Sequence, residues 1–428
     1  MSVSRRQLLA GGLAFSAGLS LPRLARATRP AKLVVVGGGF GGATAARYLK
    51  RLLPSAQVSL VEPNKEYVSC PFSNLVISGL RDLSAQIFSY EALSREGIRV
   101  VRAMATDVAA ASRTVTLSTG DKLPFDRLVM SPGISFRWDA LEGYEESVVQ
   151  AMPHAWKAGS QTVLLQQQLK AMPDGGVVLI SVPPAPFRCP PGPYERASLI
   201  AHYLKREKPR SKLILLDSNA RFSKQPLFTA AWQTHYSSMV EWRGASDFGG
   251  VTRVDAGTMQ LHTDFDVERG DVINVIPPQQ AGEIAQHAGV ADATGWCPVN
   301  AISFESRLVP GIHVLGDATI AAPMPKSAFA ANQQAKVCAI QVARMLNDLA
   351  PQATTLANTC YSYTTAETAI SVSGVYRSDD GNFQNVSGGG GMSPADDQSG
   401  LAAREAIQAV DWFSAITRET FGLSLIHI

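Results

Sequence analysis

The chain has 428 residues, 46% of them hydrophobic, and a formal charge of +3. Arg5, Arg6, Arg23 and Arg26 stand in the first 27 residues, which hold no acid, so the remainder carries −1 and offers no basic face for nucleic acid. Past that segment no uninterrupted apolar stretch of about 18 residues occurs, which leaves no transmembrane anchor, and roughly 400 residues suffice for two or three domains with real cores.

The chain opens with Ser4-Arg5-Arg6-Gln7-Leu8-Leu9, an uncharged stretch from Leu8 to Leu21, and Ala25-Arg26-Ala27. Paired arginines, a short apolar run and a small-residue cleavage pattern make a twin-arginine export signal over 1–27, cleaved after Ala27, with the periplasm as destination. This route carries proteins that have already folded.

Lys32 to Val36 is a valine-rich run, followed by Gly37-Gly38-Gly39-Phe40-Gly41-Gly42 and a helical pattern from Ala43 to Leu53. A second strand, Val58 to Val61, ends in Glu62. Strand, glycine turn, helix, strand and a closing acid form a βαβ unit with the dinucleotide fingerprint at Gly37, Gly39 and Gly42. The turn needs positive φ, the backbone must approach a pyrophosphate, and the helix must pack on the strand; Glu62 is placed to accept from the adenosine ribose.

Leu128-Val129-Met130 before Ser131-Pro132-Gly133 is a third strand, and Gly311 to Ala318 is a strand ending in Gly316-Asp317. In two-domain flavoproteins the second pattern closes the FAD domain, with the aspartate on the ribityl chain; the bland reading of Asp317 is a helix N-cap. Three patterns in this order point to FAD rather than NAD. Between them, Gly176 to Val182 and Leu213 to Leu216, ending in Asp217, form a second unit of the same kind. Its phosphate loop carries Pro183, Pro184, Pro186, Pro190 and Pro191. Proline lacks the N–H that cradles phosphate, so this unit keeps the fold without gripping NAD.

The tail holds a flexible Gly-Ser segment, Ser387 to Ser393, then an amphipathic pattern placing Ile407, Val410, Phe413 and Ile416 on one face, to be covered by the body, a partner or a membrane. Of the five cysteines, Cys70, Cys189, Cys297, Cys338 and Cys360, an odd one is left over by any full pairing. Read without further help, each is more often an inert buried thiol than a catalytic one. No metal ligand set is assigned.

Val61-Glu62-Pro63-Asn64, Pro153 to Gly159, the proline-rich loop from Ala185 through Cys189 to Ala197, Gly295-Trp296-Cys297-Pro298-Val299 and Asn358-Thr359-Cys360-Tyr361-Ser362 resemble the flavoprotein subunit of flavocytochrome c sulfide dehydrogenase. The likeness spans nearly the whole chain after the signal. It implies an α/β fold of two Rossmann-like dinucleotide-binding domains, glutathione-reductase-like, plus a C-terminal α+β domain. The boundaries expected are 28–142 with 281–350 for the FAD domain, 143–280 for the second Rossmann domain and 351–428 for the C-terminal interface domain.

The resemblance further implies FAD bonded through sulfur to Cys70, and a redox disulfide between Cys189 and Cys360 that accepts sulfide. Asn64 joins Glu62 in the cofactor set. Glu195 is a candidate proton acceptor or an ordinary surface glutamate, Trp412 a flavin-pocket wall or a core residue, and His154 structural. Cys297 and Cys338 stay quiet thiols. The expected partner is a c-type cytochrome on a separate chain, since no CxxCH occurs here. Sulfide:quinone oxidoreductase, a non-catalytic flavin-bearing interaction protein and an NADH-dependent disulfide reductase are the competing functions.

Overall fold

The computed structural model describes residues 29–422 apart from 380 and 398, so the export signal expected over 1–27 lies outside the described residues. Five parallel strands form the first sheet, in the order Ile312–Val314, Arg127–Met130, Lys32–Val36, Gln57–Val61, Arg99–Val101. Leu33, Val34, Val35, Val58 and Leu60 are buried in it, because a parallel sheet covered on both faces selects β-branched and aliphatic residues at nearly every position. The first helix is Phe40–Leu52, beginning three residues before the apolar pattern does, since the glycine turn itself winds into the helix.

Helix Ala328–Leu346 lies against Phe40–Leu52, and alanines on both sides (Ala43, Ala46, Ala335, Ala339) keep the axes close. Its start is capped by Ser327 Oγ, which accepts from Ala330 N at 3.0 Å. A second parallel sheet has the order Val240–Arg243, Lys212–Asp217, Val177–Val182, Val272–Val275. Ile134–Phe136 and Gln279–Ala281 run antiparallel where the chain leaves and re-enters the first unit. The α/β fold class read from the sequence is therefore found.

The C-terminal region is an antiparallel sheet of Thr355–Tyr363, Ala369–Asp379 and Asn382–Asn385, followed by helix Leu401–Phe421. Two expectations are corrected here. Within the Gly-Ser segment, Gly391–Met392 is paired with Val372 and Ser373, and Gly390 packs so closely that a Cβ would meet Ser373 O at 2.5 Å. The apolar face expected on the last helix packs only in its second half: Phe413 and Ile416 are buried, while Ile407 is 64% and Val410 48% exposed. The buried seam is Glu405, Ala406, Ala409, Phe413, Ile416, Thr417, Thr420 and Phe421. Small and hydroxylated residues form much of it because the helix is held by specific bonds. Thr420 Oγ1 meets Thr44 Oγ1 at 3.1 Å, Glu419 accepts from Tyr48 and pairs with Lys336, each at 2.7 Å, and Arg47 donates to the carbonyl of Arg418 at 3.1 Å.

Candidate active site

The strand order reverses at Lys32–Val36, which has Gln57–Val61 on one side and Arg127–Met130 on the other, and at such a switch point the carboxyl ends of the strands open a crevice. Gly37 has φ +98°, and a Cβ there would lie 2.2 Å from Ser131 O. Gly38 N donates to Glu62 Oε2 at 2.8 Å, while Glu62 Oε1 accepts from the backbone and side-chain nitrogens of Asn64 at 2.9 and 2.7 Å. Glu62 thus braces the turn and keeps, on Oε2, a lone pair for a hydroxyl. Gly39 is the N-cap of Phe40–Leu52, whose first turn holds no acid, so the helix end presents unpaired amides and positive potential to an anion.

Across the crevice, Gly316 N donates to Gln334 Oε1 at 2.7 Å. Lys326 Nζ donates to the carbonyls of Asp317 and Thr319 at 2.8 and 2.7 Å and lies 3.7 Å from the centre of the Trp296 ring; burial brings its pKa down to about 8. The backbone of Asp317 is therefore pinned while its Oδ1, shut off from solvent, has no partner. Burial pushes this carboxyl up, against the opposing pull of Arg188 and Lys326. An orphaned acceptor of this kind awaits a donor that the chain does not supply. A cleft of about 530 Å³, a glycine cradle, a free carboxylate oxygen and an aromatic wall where Trp412 stacks on Phe329 at 6.3 Å and 7° together fit FAD.

Cys70, Cys189 and Cys360 line the same cleft. Cys70 Sγ is 3.7 Å from the carbonyl of Trp156. Cys189 stands at φ +56°, a left-handed conformation unusual for a residue with a side chain. It is held there from both sides: its N–H donates to Lys326 O at 2.9 Å and its carbonyl accepts from Gly192 N at 2.8 Å. Gly192 leaves room for the sulfur, since a Cβ would meet Cys189 Sγ at 3.0 Å and Trp156 Cη2 at 2.8 Å. Burial pushes the Cys189 thiol well up, and Cys360 and Glu195 add to it.

Cys360 lies on strand Thr355–Tyr363 opposite Val372. Its Sγ accepts from Asn358 Nδ2 at 3.3 Å, and Asn358 Oδ1 in turn accepts from the capping Ser327 at 2.6 Å. All five cysteines are thiols in this structure, Cys189 and Cys360 included. Glu195, in the first turn of helix Gly192–Glu207, bridges two elements: Oε1 accepts from Tyr363 N at 2.9 Å and Oε2 from Asn74 Nδ2 at 2.8 Å. Burial raises its carboxyl.

Gly37, Gly39, Glu62, Asn64, Gly316 and Asp317 thus share one cleft with Cys70, Cys189, Glu195, Cys360 and Trp412. Gly42 does not line it. A Cβ at Gly42 would lie 1.8 Å from Gly37 O, so its part is to let the helix close on the turn. Cys297 and Cys338 are fully buried, and burial raises both thiols, that of Cys297 to about 12. His154 accepts from Trp156 N at 3.0 Å and is kept neutral, its pKa brought down to about 3 by burial.

Sequence reasoning missed Asn74, Arg188 and Gly192, which adjoin the cysteines in the chain or in space, and Lys224, for which no local signal exists. Arg196 was missed as well. It is 2% exposed and donates to Asn74, Asn274 and the carbonyls of His154 and Ala155, so it fixes the cleft wall.

In the second sheet the corresponding crevice is filled by the chain itself. Asp217 Oδ2 accepts from Tyr194 Oη at 2.6 Å and Trp242 Nε1 at 2.9 Å, and Oδ1 accepts from Asn219. Phe222 stacks on Tyr194 at 3.8 Å. Aromatic rings stand where an adenosine ribose would be received.

Three family models match the chain. Residues 31–163 match the pyridine nucleotide-disulphide oxidoreductases, 162–277 the central part of the sulfide dehydrogenase [flavocytochrome c] flavoprotein chain, and 352–421 the flavin-binding part of flavocytochrome c sulphide dehydrogenase. A sulfide dehydrogenase [flavocytochrome c] flavoprotein chain from Chlorobaculum thiosulfatiphilum is 62% identical over 45 residues, 10% of this chain and 94% of that one. A mitochondrial sulfide:quinone oxidoreductase from Dictyostelium discoideum is 24% identical over 317 residues, covering 72% of this chain and 69% of its own. Among solved structures, the sulfide:quinone oxidoreductase of Aquifex aeolicus has the same fold, with a TM-score of 0.72 at 18% identity over 92% of this chain and 94% of its own.

Proposed function

The chain belongs to the family of flavocytochrome c sulfide dehydrogenase flavoprotein chains, FAD-dependent flavoproteins of sulfide oxidation, and from that premise we propose that it oxidises hydrogen sulfide to elemental sulfur or polysulfide in the periplasm and passes the electrons to a c-type cytochrome on a separate chain. The observation that carries this reading is the convergence of Cys70, Cys189 and Cys360 on the cleft that holds the glycine turn and Asp317. In the resting protein Cys189 and Cys360 form a disulfide. Hydrosulfide attacks one of the two sulfurs, the S–S bond breaks, and the products are a persulfide on the attacked cysteine and a thiolate on the other. Glu195, in the first turn of the helix that follows Cys189, takes the proton given up when H2S becomes the attacking hydrosulfide. Gly37, Gly39, Glu62, Asn64 and Asp317 hold the cofactor, Cys70 tethers it through a thioether, and Trp412 walls it. FAD, when bound, supplies a two-electron acceptor able to release electrons singly to a haem.

Peptide mapping without reductant is expected to recover a Cys189–Cys360 cross-link and to find flavin on the Cys70 peptide. Either Cys→Ser change at 189 or 360 is expected to abolish sulfide-dependent cytochrome c reduction and leave the flavin in place. A Cys360→Ser protein that turned over sulfide at the wild-type rate would overturn the mechanism.

A quinone acceptor is the second reading. It is favoured by the exposed Ile407 and Val410 on the last helix and by likeness to sulfide:quinone oxidoreductases. No helix among the described residues is long and apolar enough to cross a membrane. Sulfide-driven reduction of a soluble c-type cytochrome against that of a short-chain quinone separates the two.

A further inference from the structure

Lys224 is a lysine in an unexpected place. It is 4% exposed, at the N-cap of helix Gln225–Tyr236, and its backbone stands at φ +60°, a left-handed conformation that costs a residue with a side chain on the order of 1 kcal/mol. Both features are unfavourable, and what holds them is a set of bonds reaching out of its own domain. Nζ donates to Cys360 O at 3.0 Å, to Ser362 Oγ at 2.8 Å and to Ile370 O at 3.3 Å. Ser362 and Ile370 face each other across the C-terminal sheet, so one ammonium clamps the strand bearing Cys360 to its neighbour. All three partners are uncharged, and an ammonium has only three donors. The geometry of a clamp is complete, yet the positive charge has no bonded counter-charge.

The charged and titratable groups facing that charge are Cys360, Glu195, Cys189 and Glu405. Glu405 is occupied by Ser371 and Ser393 at 2.6 and 2.7 Å, and Glu195 by Tyr363 and Asn74. Of the groups facing the ammonium, Cys360 is the one whose own backbone it bonds, which ties the charge to the cysteine pair. Resting on the reading above, in which hydrosulfide opens a Cys189–Cys360 disulfide, we propose that Lys224 is a positioning residue that places Cys360 and stabilises the negative charge released on the cysteine pair. In the oxidised pair no sulfur is charged, so the pair offers the buried ammonium no anion. When HS⁻ attacks, its charge leaves as a thiolate, R–S–S–R′ + HS⁻ giving R–S–SH and R′–S⁻, and a cation already in place meets it without reorganisation. Burial brings the Lys224 pKa down to about 8, against the pull of Cys360 and Glu195, so the ammonium is retained near neutral pH and weakens above it.

The test uses the full-length flavoprotein with its flavin, as wild type, Lys224→Met and Lys224→Arg. After reduction of the pair, the pH dependence of iodoacetamide alkylation at Cys189 and Cys360 is read by peptide mass spectrometry. The midpoint of the pair's reduction is read in parallel against dithiothreitol buffers. Lys224→Met is expected to move the alkylation midpoint of the more acidic thiol up by about one pH unit and to make the disulfide harder to open, with Lys224→Arg restoring most of both shifts. Thiol midpoints within experimental error in all three proteins would overturn the charge role, whatever the effect on turnover. If Lys224→Met loses flavin or melts early, Lys224→Gln, which keeps hydrogen-bond donors without the charge, takes its place with the same two outcomes. A wild-type protein lacking the Cys189–Cys360 cross-link would instead defeat the reading on which the inference stands.

Discussion

Glu195→Gln separates a carboxylate that moves protons from one that merely ties elements together. Both oxygens of Glu195 accept, from Tyr363 N at 2.9 Å and Asn74 Nδ2 at 2.8 Å. A glutamine has one acceptor and one donor end, so one of these contacts becomes donor against donor. Turning Asn74 over would repair it only by withdrawing Asn74 Oδ1 from Arg196 Nε, now at 3.1 Å, and Asn74 Nδ2 from Gly192 O, at 3.3 Å. One buried polar group is left unmatched either way, a loss of about 1–3 kcal/mol. Proton transfer by a positioned side chain contributes about 10²–10⁴-fold in rate, much more than such a local loss would produce in a protein that stays folded. Because burial raises the Glu195 carboxyl, its contribution to stability is present below the ordinary carboxylate pKa of about 4.3 and is lost as pH rises through the raised value. Proton acceptance follows the opposite course, growing over that same window. The assay pairs urea unfolding with anaerobic rapid mixing against sulfide across pH. Expected for Glu195→Gln are a lowered urea midpoint, a turnover reduced at least 100-fold and disappearance of the alkaline-rising limb. A variant destabilised as calculated yet turning over at the wild-type rate at every pH would refute the proton role.

Gly42→Ala is expected to yield protein without flavin, because the added Cβ would sit 1.8 Å from Gly37 O and force the turn open; flavin absorbance of the purified protein checks it. Cys70→Ala is expected to bind flavin that acid precipitation then releases, whereas wild-type protein keeps its colour in the pellet. Anaerobic NADH is expected to leave the flavin oxidised, since Tyr194, Trp242 and Asn219 already satisfy Asp217; stoichiometric bleaching at micromolar NADH would contradict the filled crevice. Burial brings His154 from 6.5 to about 3, so the unfolded chain binds a proton that the native state refuses. Stability present above pH 6.5 is lost as pH falls towards 3, by up to roughly 5 kcal/mol at about 1.36 kcal/mol per unit, and urea midpoints are expected to fall less steeply with acid in His154→Gln.

Legibility in this chain follows the distance over which each feature is built. The glycine turn, its helix and Glu62 lie within one βαβ unit, and their roles follow from φ, close approach and strand period, all local properties. The last helix shows where that logic fails. Hydrophobicity selects Ile407, Val410, Phe413 and Ile416, of which only the last two pack; the seam also runs through Ala406, Ala409, Thr417 and Thr420, and at its end Thr44, Tyr48 and Arg47, on a helix more than 350 positions earlier, bond Thr420, Glu419 and the Arg418 carbonyl. The cysteines are an intermediate case. Cys189 and Cys360 are far apart in sequence, and no spacing rule joins them; only resemblance to a family does. The structure adds a physical reason for their meeting on one cleft, since Glu195 bonds the strand of Cys360 to the helix that follows Cys189, and Lys224 bonds that same strand to the second domain. Lys224 itself is invisible beforehand: lysine is an ordinary surface residue, and nothing in Ser223-Lys224-Gln225 announces a left-handed backbone or a buried ammonium. The chemistry therefore depends on contacts that converge late, from three parts of the chain, on a strand whose own sequence signals little beyond a cysteine. That dependence makes Glu195, Lys224 and Asn358, rather than the glycine turn, the places where a substitution can spare flavin binding and still disable the pair.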